Sequence, residues 1–208
     1  MFGIHDLALF VVSGLLLNMM PGPDSLLIML RSGSQGWRAG SAAALGIGTG
    51  TMIHVLGAAL GLSALLSASA ELFAVIKLVG ALYLIYLGIS LFRQKSARVD
   101  STGVSLPALS YGRIYWQGVL TNVLNPKVAL FFLAFVPQFI APDSPDKALA
   151  FILLGCIFNL NGMIWCHFLV FSTAYASNKV KLPTRIGRWL NRGIGTLFVG
   201  LGVKLASE

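Results

Sequence analysis

Charge is scarce in this chain of 208 residues: only 11% are Asp, Glu, Lys or Arg, where a water-soluble domain carries about a quarter. That shortage excludes a globular domain wetted on most sides. Acids are the scarcest, seven against fifteen Lys and Arg, for a net charge of +8. In a soluble protein such an excess points to nucleic acid. Here the bases fall between apolar runs instead of forming one patch interleaved with aromatics, so no nucleic-acid partner is expected. Cysteine is limited to Cys156 and Cys166 in one predicted helix, ~15 Å apart at helical rise and beyond the ~7 Å that a disulfide spans. An intramembrane thiol relay, which needs two thiols in reach on different broken helices, fails on the same geometry. His5, His54 and His167 are scattered, with no set of acids around them that would hold a metal. No H-E-x-x-H or G-x-S-x-G pattern is present, so an enzyme is disfavoured and no cofactor is expected. The opening MFGIHDLALF has no Lys or Arg and no small-residue cleavage site, so Leu7 onward is expected to remain in the mature protein.

What is present is apolar length. Hydrophobic residues make up 56% of the chain and the mean hydropathy is +0.81. A bilayer span needs about 20 mostly apolar residues. Segments 7–30, 40–66, 72–92, 116–140 and 148–175 qualify, and 189–205 qualifies if Arg192 and Lys204 near its ends snorkel to the interface. The loops after the odd spans hold Arg31 and Arg38, then Arg93, Lys95, Arg98 and Arg113, then Lys179, Lys181, Arg185 and Arg188; the loop after span four holds only Lys147 beside Asp143 and Asp146. Bases are retained in the cytoplasm, so both termini are expected outside.

The stretch RQKSARVDSTGVSLPALSYGR is polar, contains Gly and Pro, and reads as a linker. It separates a first half, 1–92, from a second, 116–208, with 93–115 as a cytoplasmic connection inside one membrane domain. Three spans per half invert the second half relative to the first. KLVGALY at Lys77 and RGIGTLF at Arg192 share a pattern of base, Gly, small residue, Leu and aromatic, and NMMPGPD faces NVLNPKV, each pairing an asparagine with a proline. The expected fold is therefore all-α, with six transmembrane helices in a 3+3 inverted-topology repeat, a plan common among secondary transporters.

Spans one and four are broken at Pro21, Gly22 and Pro23 and at Pro126. Proline has no N–H, so the carbonyls of Leu17, Met19 and Asn122 lose their helical donors. Free carbonyls are not tolerated against lipid and require a protein or water-lined interior. Two such breaks bring bare acceptors and half-helix N-termini together. Acceptors suit an ammonium group, and a helix N-terminus suits a carboxylate. A zwitterionic amino acid carries both.

PGPD in the first span, GALYLIYLG at Gly80–Gly88 and TNVLNPKVALFFLAFVPQFI at Thr121–Ile140 resemble the lysine exporter and homoserine/threonine exporter family (LysE/RhtB). The resemblance covers nearly the whole chain, and NPK…F…PQF is its most specific part. It implies a bacterial inner-membrane amino-acid exporter driven by proton antiport, so the partners implied are an amino acid, protons and the bilayer. A homo-oligomer stays open.

The residues weighed for the path are Asp24, Lys127, Asn122, Asn125, Asn18 and His54. Asp24 suits the first turn of the second half-helix, and it suits a proton or substrate-ammonium site, since intramembrane carboxylates mark such paths. Lys127, near mid-membrane, needs a partner: Asp24 or a substrate carboxylate. Asn122 and Asn125 flank the second break, where amides replace missing backbone bonds or contact substrate. Asn18 precedes the first break. His54 shares a stripe with Gly46, Gly50, Gly57 and Gly61; small residues at this spacing let helices approach closely, and a hydrogen-bonded packing histidine is favoured over a proton relay. Asn159 and Asn161 point to different sides of span five, so at most one lines a path. Lys77 is a weaker candidate. One acid, one base and several amides favour a neutral amino acid such as threonine, homoserine or leucine over another small solute or an ion on the same scaffold.

Overall fold

The computed structural model describes residues 2–62 and 108–176, with isolated positions between 75 and 89 and between 196 and 203. Predicted spans three and six, Lys77, and the body of the linker lie outside the described residues. The described residues are helical, and they hold no strand beyond one isolated antiparallel bridge, Ile4 with Ile140.

Helix α1, Leu7–Met19, is apolar except for Ser13 and Asn18. It ends because Met20 precedes Pro21 and adopts the extended conformation (φ −60°, ψ 125°) that a following proline imposes. Gly22 is the N-cap of α2, Pro23–Gln35, whose first position is Pro23, where a missing N–H costs nothing. The axes of α1 and α2 bend by 54° across the break. Gly36, at φ +82°, then turns the chain into α3, Trp37–Gly57, which ends in a π-helical turn, Ala58–Leu62. A residue with a side chain is strained at that φ.

The second broken element mirrors the first. Helix α4, Tyr111–Val123, stops before Asn125, which caps α5, Pro126–Leu130. A π-helical turn, Phe131–Phe135, and a 3-10 turn, Val136–Phe139, extend α5, and the bend is 48°. Helix α6, Lys147–Ala176, is unbroken. Among the described residues, Trp37–Gly61 and Lys147–Tyr175 are each long and apolar enough to cross a membrane, and each bent pair passes the same test when taken as one span. The described part of the molecule is that of an all-helical membrane protein.

Several boundaries differ from the sequence reading. Arg31 was expected in the first loop, yet α2 runs on to Gln35 and Arg31 is buried, donating to Gln35 Oε1 (3.2 Å) and Gln117 Oε1 (2.9 Å). The apolar run stops at the first charge, but the backbone need not, because Arg is a good helix former. For the same reason Arg38, also expected in the first loop, lies within α3, and Arg113 within α4.

Helix α3 packs most extensively on α4, at backbone distance. A Cβ on Gly46 would strike the Tyr115 carbonyl, and one on Gly118 the Ala43 carbonyl. Gly50 lies against Asn122. The glycine stripe is thus a packing face over Gly46 and Gly50, whereas Gly57 meets nothing within 4 Å among the described residues.

Two apolar clusters fill the interior. One is aromatic, built around Phe10, Phe131, Phe135, Phe139 and Phe158 toward the N-terminal end of α1. The other, of Ile28, Ala43, Ile47, Ile114 and Val170, lies toward the α2–α3 turn. Leucines and aromatics on the outer faces, such as Leu124 and Tyr175, stay exposed.

Candidate functional site

The two breaks meet. A Cβ on Gly22 would lie 3.5 Å from the Lys127 ammonium, so the first break touches the start of α5. Pro21, Pro23 and Pro126 are exposed, while Leu17, Met20 and Asn122, next to the breaks, are buried. The rings are exposed, while the freed carbonyls of Leu17 and Asn122 are engaged inside.

Each break supplies what the other lacks. Lys127 Nζ donates to the carbonyls of Leu17 and Met20, both at 3.2 Å. Leu17 O is an acceptor that Pro21 deprived of its helical donor. In return, Asp24 Oδ2 accepts from Asn122 Nδ2 at 2.9 Å and Asn125 Nδ2 at 3.1 Å. Asn125 also accepts the backbone N–H of Lys127 on Oδ1 at 3.1 Å, capping α5. The Asn122 carbonyl, deprived by Pro126, accepts from Asn125 N (3.0 Å) and from His54 Nε2 (3.2 Å). His54 therefore closes the second break as Lys127 closes the first, and it stacks on Phe132 with 4° between the planes.

The direct Asp24–Lys127 ion pair left open by the sequence is not formed, since the only such pair among the described residues is His5 with Asp6. The lysine serves carbonyls, and the aspartate serves amides. Burying an ammonium is tolerable only with its N–H groups engaged, and peptide carbonyls engage two of three.

These groups surround a cavity of about 30 Å³, room for about two waters. Asp24, Lys127, Asn122 and Asn18 line it; Asn125 and His54 stand behind, holding Asp24 and the second break in place. Asn18 donates weakly to the Phe158 carbonyl at 3.5 Å. Of the span-five amides Asn159 lines the cavity and Asn161 does not. Among the described residues no group of three His, Cys, Asp or Glu is placed to hold a metal ion.

The sequence reading missed Thr51, Trp165 and Cys166, which complete the wall. Thr51 Oγ1 lies 3.4 Å from Asn122 Oδ1. Its signal was weak because Thr51 sits beside the glycine stripe, not on it. Trp165 lies well inside span five, and nothing local says which way an indole points.

A family model for LysE type translocators matches residues 15–208. The chain belongs to the LysE type translocator family. As a LysE type translocator it is a membrane transporter. Its relatives include the uncharacterized membrane protein PA4757 of Pseudomonas aeruginosa, 32% identical over 99% of this chain and 96% of that one, and the Bacillus subtilis membrane protein YrhP, 33% identical over 97% and 98%. The leucine efflux protein of Salmonella typhimurium is 27% identical over 99% of this chain and 97% of its own length. No solved structure matches significantly.

Proposed function

We propose that this LysE type translocator is a secondary active exporter that carries neutral amino acids, leucine-like or threonine-like, out of the cytoplasm in exchange for protons. Asp24, Lys127, Asn122 and Asn18 form the substrate and proton site on this reading, with Asn125 and His54 supporting it. The observation that carries it is the reciprocal clasp of two broken helices around a small polar cavity. One carboxylate and one ammonium complement one zwitterion. Among the described residues no second acid lines the cavity, so a cationic side chain would find no partner among them. Its apolar walls, among them Leu17, Ile47, Val128 and Met163, suit an uncharged side chain, in keeping with the leucine efflux relative. The cavity is too small for an amino acid, so the state described is closed and transport requires it to widen.

The proposal includes six spans in two inverted halves, 1–92 and 116–208, joined by the cytoplasmic linker 93–115, in the bacterial inner membrane with both termini outside. The mirrored order of straight and broken helices supports it.

Inverted membrane vesicles provide the test. Energised vesicles should accumulate labelled leucine, threonine or homoserine in preference to lysine, and an uncoupler should abolish it. Asp24→Asn keeps the shape but not the titratable carboxyl, and should uncouple transport from the pH gradient. Vesicles that take up no amino acid under any gradient would refute the proposal.

A further inference from the structure

Among the described residues, two that line the cavity each hold a buried polar atom with no hydrogen-bond partner: Asp24 Oδ1, an acceptor, and Trp165 Nε1, a donor. They come from α2 and α6, so no local turn explains either. A buried indole N–H normally finds a partner, and orphaned buried groups carry a desolvation cost. Lys127 adds a third open valence, because two of its three N–H groups are on Leu17 O and Met20 O.

Together these leave two donors and one acceptor unengaged on three residues that line one cavity. A carboxylate has two oxygens, enough to take one N–H from Lys127 and one from Trp165. An ammonium has three donors, one of which suits Asp24 Oδ1. We infer that Trp165 is a substrate-binding residue, its indole N–H and the Lys127 ammonium jointly holding the α-carboxylate of the transported amino acid while Asp24 takes the α-ammonium. This inference rests on the proposed amino-acid substrate and adds its polarity: carboxylate toward α5 and α6, ammonium toward α2. The ring stacks on Phe168, 5.3 Å between centroids.

The test compares leucine with leucinamide, which keeps the ammonium but not the carboxylate, in proteoliposomes of the purified full chain. Trp165→Phe removes the N–H and keeps a ring. It should raise the apparent KM for leucine about tenfold or more, the effect of losing a hydrogen bond to a charged group. Inhibition by leucinamide should be unchanged, and Trp165→His, which retains a ring N–H, should recover part of the loss. A leucine KM equal to wild type overturns the inference, as does an equal weakening of leucine and leucinamide, which marks a structural role. If wild-type protein moves and binds neither compound, the amino-acid reading itself fails and this inference falls with it. Should Trp165→Phe not fold, indole-15N-labelled wild-type protein still decides: leucine, and not leucinamide, should shift one of the four indole N–H resonances, and no shift overturns the inference.

Discussion

At the scale of residues, the site is a problem of unmet hydrogen bonds. Each proline removes a donor, and the acceptor left behind needs another partner. Lys127 and His54 serve the acceptors at Leu17 and Asn122, while Asn122 and Asn125 donate to one oxygen of Asp24. Exchange of the two charges is therefore expected to fail. In Asp24→Lys with Lys127→Asp, a carboxylate would face the Leu17 and Met20 carbonyls and repel them, and an ammonium would face two amide N–H groups. Export by the double variant should be no better than by either single variant, measured at matched protein levels; restoration of activity would mean that the two side chains act as a simple ion pair.

At the scale of elements, bent helices are held by tight ones. Helix α3 meets α4 through glycine, and a single methyl at Gly46 has backbone in its way. Backbone cannot rotate aside as a side chain can, so Gly46→Ala should cost about 1–3 kcal/mol, the usual range for overpacking, and lower the melting temperature in detergent. Gly57→Ala, at the open end of the same stripe, should leave melting unchanged or raise it, since Ala is the better helix former. Equal destabilisation by both would show that the stripe acts through helix propensity or through a neighbour at Gly57. The two breaks depend on this contact: Gly50 lies against Asn122, so displacement of α4 from α3 moves the amide that holds Asp24.

At the scale of the molecule, the cavity is bordered by both apolar clusters. Leu17, Val128 and Phe158 of the aromatic cluster line it, with Phe131 and Phe158 stacked at 4.5 Å, and so do Ile47 and Cys166 of the second. The N-terminal segment reinforces the aromatic end. Ala141 N–H donates to Gly3 O at 2.8 Å, and the hydroxyl of Ser144 donates to Phe2 O at 3.0 Å. The basic residues Arg38 and Arg113 mark the opposite end, near the Gly36 turn. The proposed orientation puts that end in the cytoplasm and the aromatic cluster toward the outside. Fusions at the C-terminus check it: alkaline phosphatase should be active there and green fluorescent protein dark, and the reverse pattern would invert the orientation.

Much of this was legible in the residues. Apolar length, scarce charge and two proline breaks, with an acid after one and a base after the other, determined a membrane protein with interrupted helices and named Asp24, Asn122, Asn125 and Lys127, because these are covalent or compositional facts that hold before folding. Backbone valences lost to proline can be counted without coordinates. What they could not decide was partnership. Whether Lys127 turns to a carboxylate or to carbonyls, whether Arg31 sits in a loop or under a helix, and where the indole of Trp165 points depend on helices that meet only in three dimensions. Side-chain hydrogen bonds across about a hundred residues, Asp24 to Asn122 and Lys127 to Leu17, have no local signature, so the tertiary packing alone set them.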